Sequence, residues 1–218
     1  MNVFRIAILL VAGWLAAPAA LSQTIDYERL DSRLALLAAD EEIVGLAVAV
    51  VENGEVSFAK GYGVTRLGDG APVTDQTVFR WASLSKGVAS TTAVRLATEG
   101  RLSLTDTIAS FDTSLRLPGG GETRATLENV LSHMIGIVPN AYDTRLEDGR
   151  DPVDIRRALG RLRATCAVGE CHTYQNVAYD AVSEAIETRT GLSYAETVSN
   201  RIFEPLEMIT ASFGRAAL

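Results

Sequence analysis

The chain has 218 residues, of which 47% are hydrophobic and 22% are charged. This composition is typical of a folded protein with a buried core and excludes a disordered or fibrous chain. The formal net charge of −7 argues against nucleic acid as a partner, and two cysteines with two histidines are too few for a disulfide-rich scaffold or a structural zinc site.

Residues 1–22 have the pattern of a secretory signal peptide: a short basic start, an apolar run and a small-residue cleavage site. Ala20 and Ser22 occupy the −3 and −1 positions of that site. The uncharged run 6–25 is also long enough to span a bilayer, so an uncleaved anchor is the alternative, although the small residues at its end favour cleavage. We therefore expect a periplasmic or secreted protein whose domain comprises residues 23–218, with no membrane association after cleavage.

The elements after the leader pass from helix to hairpin to helices. Apolar spacing predicts a helix over 26–40, and two β-rich runs, 45–51 and 55–62, flank Asn53-Gly54, which is typical of a hairpin turn. Five further helices are predicted, over 83–99, 127–134, 153–163, 176–190 and 193–203. The polar, turn-rich stretch 139–152 is expected to be a loop. A hairpin followed by helices indicates an α+β fold with a helical lobe, although two strands alone make a marginal sheet.

The pattern Ser-x-x-Lys occurs twice, and each occurrence uses one of the only two lysines in the chain. Ser57 and Lys60 lie in the second predicted strand, where an offset of three places side chains on opposite faces. Ser83 and Lys86 lie at the beginning of a predicted helix, where residues i and i+3 share a face. A serine there can become a nucleophile if an uncharged lysine takes its proton, and the helix start offers N–H groups to an oxyanion. The alternative is a helix-capping Ser83 and a solvated Lys86.

A second constellation is Tyr174-Gln175-Asn176, which is the only Tyr-x-Asn in the sequence. A tyrosine hydroxyl beside an ammonium can transfer protons, and an asparagine can hydrogen-bond a substrate amide. The alternative is that Asn176 caps the following helix while Tyr174 packs in the core. The sequence contains no Gly-x-Ser-x-Gly, which argues against the nucleophile elbow of α/β-hydrolases.

Cys166 and Cys171 are the only cysteines, and in an exported protein they are candidates for a disulfide. The loop between them contains Gly169 and can turn tightly. The alternative is that they are two small, buried thiols.

Four segments of the chain occur in an order that is more specific than any one of them. They are Phe79 to Lys86, Leu131 to Ile137, Tyr174 to Asn176, and Thr190-Gly191 through Met208. This ordered set resembles the serine β-lactamase and penicillin-binding protein superfamily, and within it the class C β-lactamases and the related esterases and peptidases. The resemblance implies a β-lactamase/transpeptidase-like fold.

The resemblance also implies a role for each site residue. Ser83 would be the acylated nucleophile, with its backbone N–H as half of the oxyanion hole, and Lys86 would accept its proton. Tyr174 would assist proton transfer to the leaving group, and Asn176 would bind the substrate's carbonyl side. The implied reaction is hydrolysis of an amide or ester (a β-lactam, a peptide or a short ester) through an acyl-enzyme, without metal or cofactor.

The resemblance breaks at the family's third motif, Lys-Thr-Gly or His-x-Gly on a downstream strand. Arg189-Thr190-Gly191 lies at the end of a predicted helix, where Gly191 fits a helix C-cap, and we reject it as that motif. Glu207 stands where the family usually has glycine. We therefore expect a partial antiparallel sheet without the C-terminal strands, in a truncated and impaired family member. The alternative is a catalytically inactive remnant that binds peptidoglycan-like ligands or a partner chain.

Overall fold

The computed structural model describes residues 24–214, so the predicted leader, residues 1–22, lies outside the described residues. The chain divides into a first unit that ends at Thr77 and a second that begins at Val78. In the described range, every helix is too short or too polar to cross a bilayer.

The first unit contains the predicted helix and hairpin. Helix α1 spans Tyr27–Leu37, and the strands β1 (Gly45–Glu52) and β2 (Glu55–Gly63) pair antiparallel. Both turn residues, Asn53 and Gly54, have positive φ (53° and 84°), which matches the twist that a two-residue hairpin turn requires. The predicted hairpin is therefore confirmed.

The first Ser-x-x-Lys pair has separate surroundings in this unit. Val50 is opposite Phe58 and Val51 is opposite Val56, so Ser57 is the extra residue of a β-bulge. Lys60 reaches α1, where its Nζ lies 2.7 Å from a carboxylate oxygen of Asp31. Lys60 is therefore engaged in an exposed ion pair with α1.

The second unit is helical. Its helices are α2 (Ser85–Thr98), α3 (Leu127–Leu131), α4 (Asp143–Glu147), α5 (Pro152–Leu159), α6 (Ala181–Thr190) and α7 (Tyr194–Val198). Short 3₁₀ segments lie at Ala82–Leu84, Ile108–Phe111 and Pro118–Thr123, and α7 continues as a π-helical turn, Ser199–Phe203. Side chains from α2, α3, α6 and the loops between them form one core, whose largest fully buried members include Phe111, Leu96, Ile108 and Leu127.

The structure corrects four predicted elements. The helix expected over 153–163 ends at Leu159. The stretch 139–152 contains α4 rather than loop alone. The helix expected to begin at Asn176 begins at Ala181, because residues 177–180 form consecutive turns. Helix α3 ends at Leu131 rather than near Met134, because His133 adopts a left-handed conformation (φ 61°) that a helix cannot include. Across the described chain the architecture is α+β, with one two-stranded sheet and a helical region.

Candidate active site

Ser83 lies in the 3₁₀ turn that leads into α2, and its side chain is exposed. Ala82, immediately before it, has φ of 46°, in the left-handed region that residues with a Cβ rarely adopt. The turn directs Ser83 toward the face on which Lys86 lies, three residues along. Lys86 is half-buried, and its Nζ donates a hydrogen bond to Ser83 Oγ at 3.5 Å. The predicted pairing of these residues on one face is therefore present.

Tyr174 completes the cluster by placing one oxygen against both groups. Its hydroxyl lies 2.7 Å from Ser83 Oγ and accepts a hydrogen bond from Lys86 Nζ at 2.7 Å. The hydrogen bond from Lys86, followed by the one with Ser83, lowers the pKa of the Tyr174 phenol, because a nearby ammonium favours the phenolate. The phenol is thus the shortest proton path between the serine and the lysine.

Asn176 lies on the other side of the ammonium. Its Oδ1 accepts a hydrogen bond from Lys86 Nζ at 2.6 Å, and its Nδ2 donates to Asp143 Oδ2 at 2.6 Å. The N-cap residue of α6 is Asp180, so the interpretation of Asn176 as a helix cap is wrong. Instead, the amide joins the lysine to a carboxylate on α4.

Gln175, between these two residues, is buried and holds the segment in place. Its Nε2 donates to the carbonyl of Val138 at 2.5 Å, and its Oε1 accepts from the backbone N–H of Ala141 at 3.3 Å. Its own backbone N–H donates to His133 Nδ1 at 3.2 Å. Because both ends of this buried amide are satisfied, residues 174–176 have little freedom to move away from Lys86.

Two aromatic side chains enclose the same region. The ring of His133 packs on Tyr174 and Tyr179, with centroids 4.6 and 5.2 Å apart, and the Tyr179 hydroxyl donates to the backbone carbonyl of Lys86 at 2.9 Å. Burial, followed by the charges of His172 and Lys86, lowers the pKa of His133. A neutral His133 is what the hydrogen bond from Gln175 requires, since Nδ1 must be free to accept.

Cys166 and Cys171 are joined in a disulfide, with their Cα atoms 6.3 Å apart. The bridged loop and the residue before it are hydrogen-bonded to the segment 131–137: the backbone N–H groups of Gly169 and Thr165 donate to the carbonyls of Met134 and Gly136, each at 2.9 Å. Gly136 has φ of 75°, and a Cβ there would lie 2.4 Å from the Cys166 carbonyl oxygen. Glycine is therefore required at position 136, where this segment contacts the bridged loop that precedes Tyr174.

The structure thus brings Ser83, Lys86, Tyr174 and Asn176 together. Sequence reasoning did not find Asp143 or Tyr179, nor the contribution of Gln175. No motif marks Asp143, which lies in a stretch predicted to be loop. Gln175 carried a usable signal, because the residue between two site residues of an extended segment points away from them and is often buried.

The sequence model of the Beta-lactamase family matches residues 30–218. Esterase EstB of Burkholderia gladioli is 26% identical over 200 residues, which cover 85% of this chain and 51% of the esterase.

Two solved structures are similar to the fold described above. The octameric penicillin-binding protein homologue of Pyrococcus abyssi is 27% identical with a TM-score of 0.75, over 84% of this chain and 44% of that one. A class C beta-lactamase is 24% identical with a TM-score of 0.72, over 86% and 52%. The chain spans about half the length of these proteins, and 35% of another curated relative.

Proposed function

The chain belongs to the beta-lactamase family, and from that premise we propose that it is a serine hydrolase that cleaves an amide or ester through an acyl-enzyme. One observation carries the proposal: the Tyr174 oxygen lies 2.7 Å from both Ser83 Oγ and Lys86 Nζ. The Ser83 hydroxyl can be deprotonated as it attacks, because the phenolate of Tyr174 is close enough to take its proton and the Lys86 ammonium stabilises that phenolate. The fold and the family support this proposal independently of the distances.

The first half-reaction forms an ester on Ser83. Its Oγ attacks the carbonyl carbon of the substrate, and its proton passes to the Tyr174 phenolate. We thus assign to Tyr174 the proton-accepting role that the resemblance gives to Lys86, because Lys86 Nζ is farther from Ser83 Oγ (3.5 Å) than the phenol oxygen is (2.7 Å). Lys86 holds the phenolate by a hydrogen bond. Collapse of the tetrahedral intermediate breaks the bond to the leaving nitrogen or oxygen, which takes the proton from Tyr174.

The second half-reaction returns the enzyme to its starting state. Water attacks the ester carbonyl and gives its proton to Tyr174, which is again a phenolate once the leaving group has departed. The acid product is released as Ser83 Oγ recovers a proton from Tyr174. The reaction is then balanced: one amide or ester bond and one water give an acid and an amine or alcohol.

The substrate class proposed is a short ester or a peptide-like amide, in preference to a β-lactam antibiotic. EstB, which matches 85% of the chain, is named as an esterase. The four residues of the cluster suit any activated carbonyl, so they favour acyl transfer in general over one antibiotic class.

The test is turnover with a chromogenic cephalosporin and with a short p-nitrophenyl ester. Ser83→Ala should abolish turnover of both, whereas Ser57→Ala, at the other Ser-x-x-Lys, should leave it unchanged. Mass spectrometry after incubation with penicillin should find the adduct on Ser83 alone. Equal rates for the wild type and Ser83→Ala would remove the enzyme proposal and leave a protein that binds peptidoglycan-like ligands or a partner chain.

We also propose that the protein works outside the cytoplasm, in the periplasm or the medium. The pattern of residues 1–22 and the Cys166–Cys171 disulfide both suit an oxidising compartment. N-terminal sequencing of the exported protein should begin at Gln23. A protein that retains residue 1 would favour the uncleaved anchor.

A further inference from the structure

Asp143 is linked to the Ser83–Lys86–Tyr174 cluster by two successive hydrogen bonds, through the side-chain amide of Asn176. It is the first residue of α4, and its Oδ2 accepts from Asn176 Nδ2 at 2.6 Å. Its Oδ1 is buried and has no hydrogen-bond partner among the described residues. Within residues 24–214 no ion pair joins Asp143 directly to Lys86. The side-chain amide of Asn176 lies between the carboxylate and the ammonium.

The chemistry of the three groups fixes the direction of that amide. An ionised carboxylate only accepts hydrogen bonds, and an ammonium only donates them. Asn176 must therefore present its NH₂ to Asp143 and its carbonyl to Lys86. The reversed amide would place an NH₂ against the ammonium and an oxygen against the carboxylate, which are two repulsive contacts.

Asp143 is attached to the same frame as the residues that it faces. The backbone N–H of Asn140 donates to the carbonyl of Tyr174 at 2.8 Å, and that of Ala141 donates to Gln175 Oε1 at 3.3 Å. Tyr142 then adopts a left-handed conformation (φ 64°) and turns the chain into α4. The loop is therefore tied to the segment bearing Tyr174 and Asn176, so Asp143 keeps its place relative to both.

We infer that Asp143 is a positioning residue, which orients the Asn176 amide so that its oxygen holds Lys86 Nζ against the Tyr174 hydroxyl. The inference deepens the proposed function and rests on it. Without the carboxylate, the amide can turn over and Lys86 Nζ loses one of its two shortest contacts.

The chain has only two lysines, so NMR provides a direct test in the full chain. Lysine labelled with ¹³C at Cε and ¹⁵N at Nζ gives one side-chain signal for Lys86 and one for Lys60. Lys60→Arg assigns them, and Lys60, paired with Asp31, is the internal reference. Asp143→Ala and Asp143→Asn should displace the Lys86 signal and speed exchange of its ammonium protons. Glu147→Gln and Asp148→Asn, which remove the same charge from the exposed end of α4, should leave both signals in place.

Single-turnover acylation of Ser83 is the second readout. Asp143→Ala should slow it about 10- to 100-fold, which is the value of one charge-assisted hydrogen bond. Asp143→Asn should slow it less, because the introduced amide can still accept a hydrogen bond but no longer imposes a direction. If Asp143→Ala does not fold, Asp143→Asn decides the matter by itself.

The outcomes separate this inference from the proposed function. A Lys86 signal that is the same in the wild type and Asp143→Asn, or that moves equally in Asp148→Asn, overturns the positioning role even if the enzyme is active. A Lys86 signal that moves only with Asp143 supports the role, and does so even if the wild type fails to acylate.

Discussion

Replacing Tyr174 by phenylalanine removes the hydroxyl oxygen that contacts both Ser83 Oγ and Lys86 Nζ. The remaining Lys86–Ser83 distance is 3.5 Å, at the outer limit of hydrogen bonding, so the serine loses its proton acceptor while the ring stays in place. A positioned acid–base group contributes about 10²–10⁴-fold to a rate. We therefore expect acylation of Ser83 to slow by about 10²–10⁴-fold, or about 3–5 kcal/mol of barrier at about 1.4 kcal/mol per tenfold.

The control for this change is Tyr179→Phe, because the second tyrosine is also close to the same lysine. The rings of Tyr174 and Tyr179 lie 4.7 and 5.5 Å from Lys86 Nζ, but the Tyr179 hydroxyl donates to the Lys86 backbone carbonyl and not to a reacting atom. Stopped-flow acylation by an activated ester should show Tyr179→Phe within about tenfold of wild type. Equal losses in both variants, or a Tyr174→Phe rate within tenfold of wild type, would refute the proposed proton path.

The pH dependence of the same reaction tests the cause. Lys86, and after it Ser83, lowers the pKa of Tyr174, so acylation should rise with pH through a midpoint below the ordinary tyrosine value of about 10. In Lys86→Gln the ammonium is gone, and the midpoint should move upward. A midpoint unchanged by Lys86→Gln would mean that the titrating group is not this phenol.

Three further predictions concern stability and order. Glu207 has φ of 53°, so Glu207→Gly should remove a left-handed backbone penalty of about 1–2 kcal/mol at an entropic cost of about 0.5–1 kcal/mol. The melting temperature should therefore rise by about 1–4 °C. The control Glu204→Gly, at a right-handed position (φ −64°), should lower the melting temperature. Because burial keeps the pKa of His133 low in the folded protein, the unfolded chain binds a proton at this histidine before the folded protein does as the pH falls below about 6.5. The free energy of unfolding should therefore decrease below about pH 6.5. In denaturation series measured over pH for both proteins, His133→Asn should show a smaller decrease than the wild type. Replacing Cys166 and Cys171 together by serine should loosen the bridged loop before Tyr174 and increase amide hydrogen exchange there, while equal exchange in both proteins would assign the bond no ordering role.

The sequence predicts the elements of this fold better than their ends. The hairpin depends on alternation and on Asn53-Gly54, which are local signals, and it forms where expected. Helix α6 begins five residues after the start that spacing predicts, because Asn176, before the turns at 177–180, bonds Lys86 and Asp143, which are distant in sequence. The spacing of apolar residues along the chain carries no information on such a long-range contact.

The same reasoning explains which site residues could be found. Ser83 and Lys86 are one helical turn apart, so their proximity follows from local geometry. Tyr174 could be linked to them only through a resemblance, since 91 residues separate it from Ser83. Asp143 has neither signal, and only the fold reveals its contact with Asn176.

The left-handed backbone at Ala82 opposes two requirements, the stability of the fold and a fixed direction for the Ser83 side chain. Such a conformation costs about 1–2 kcal/mol in a residue with a Cβ, and the rest of the protein has to offset it. Glycine at position 82 would release that energy, but it would also widen the range of directions in which the Ser83 side chain can point. A screen for heat resistance and a screen for acylation of Ser83 should consequently enrich different residues at this one site.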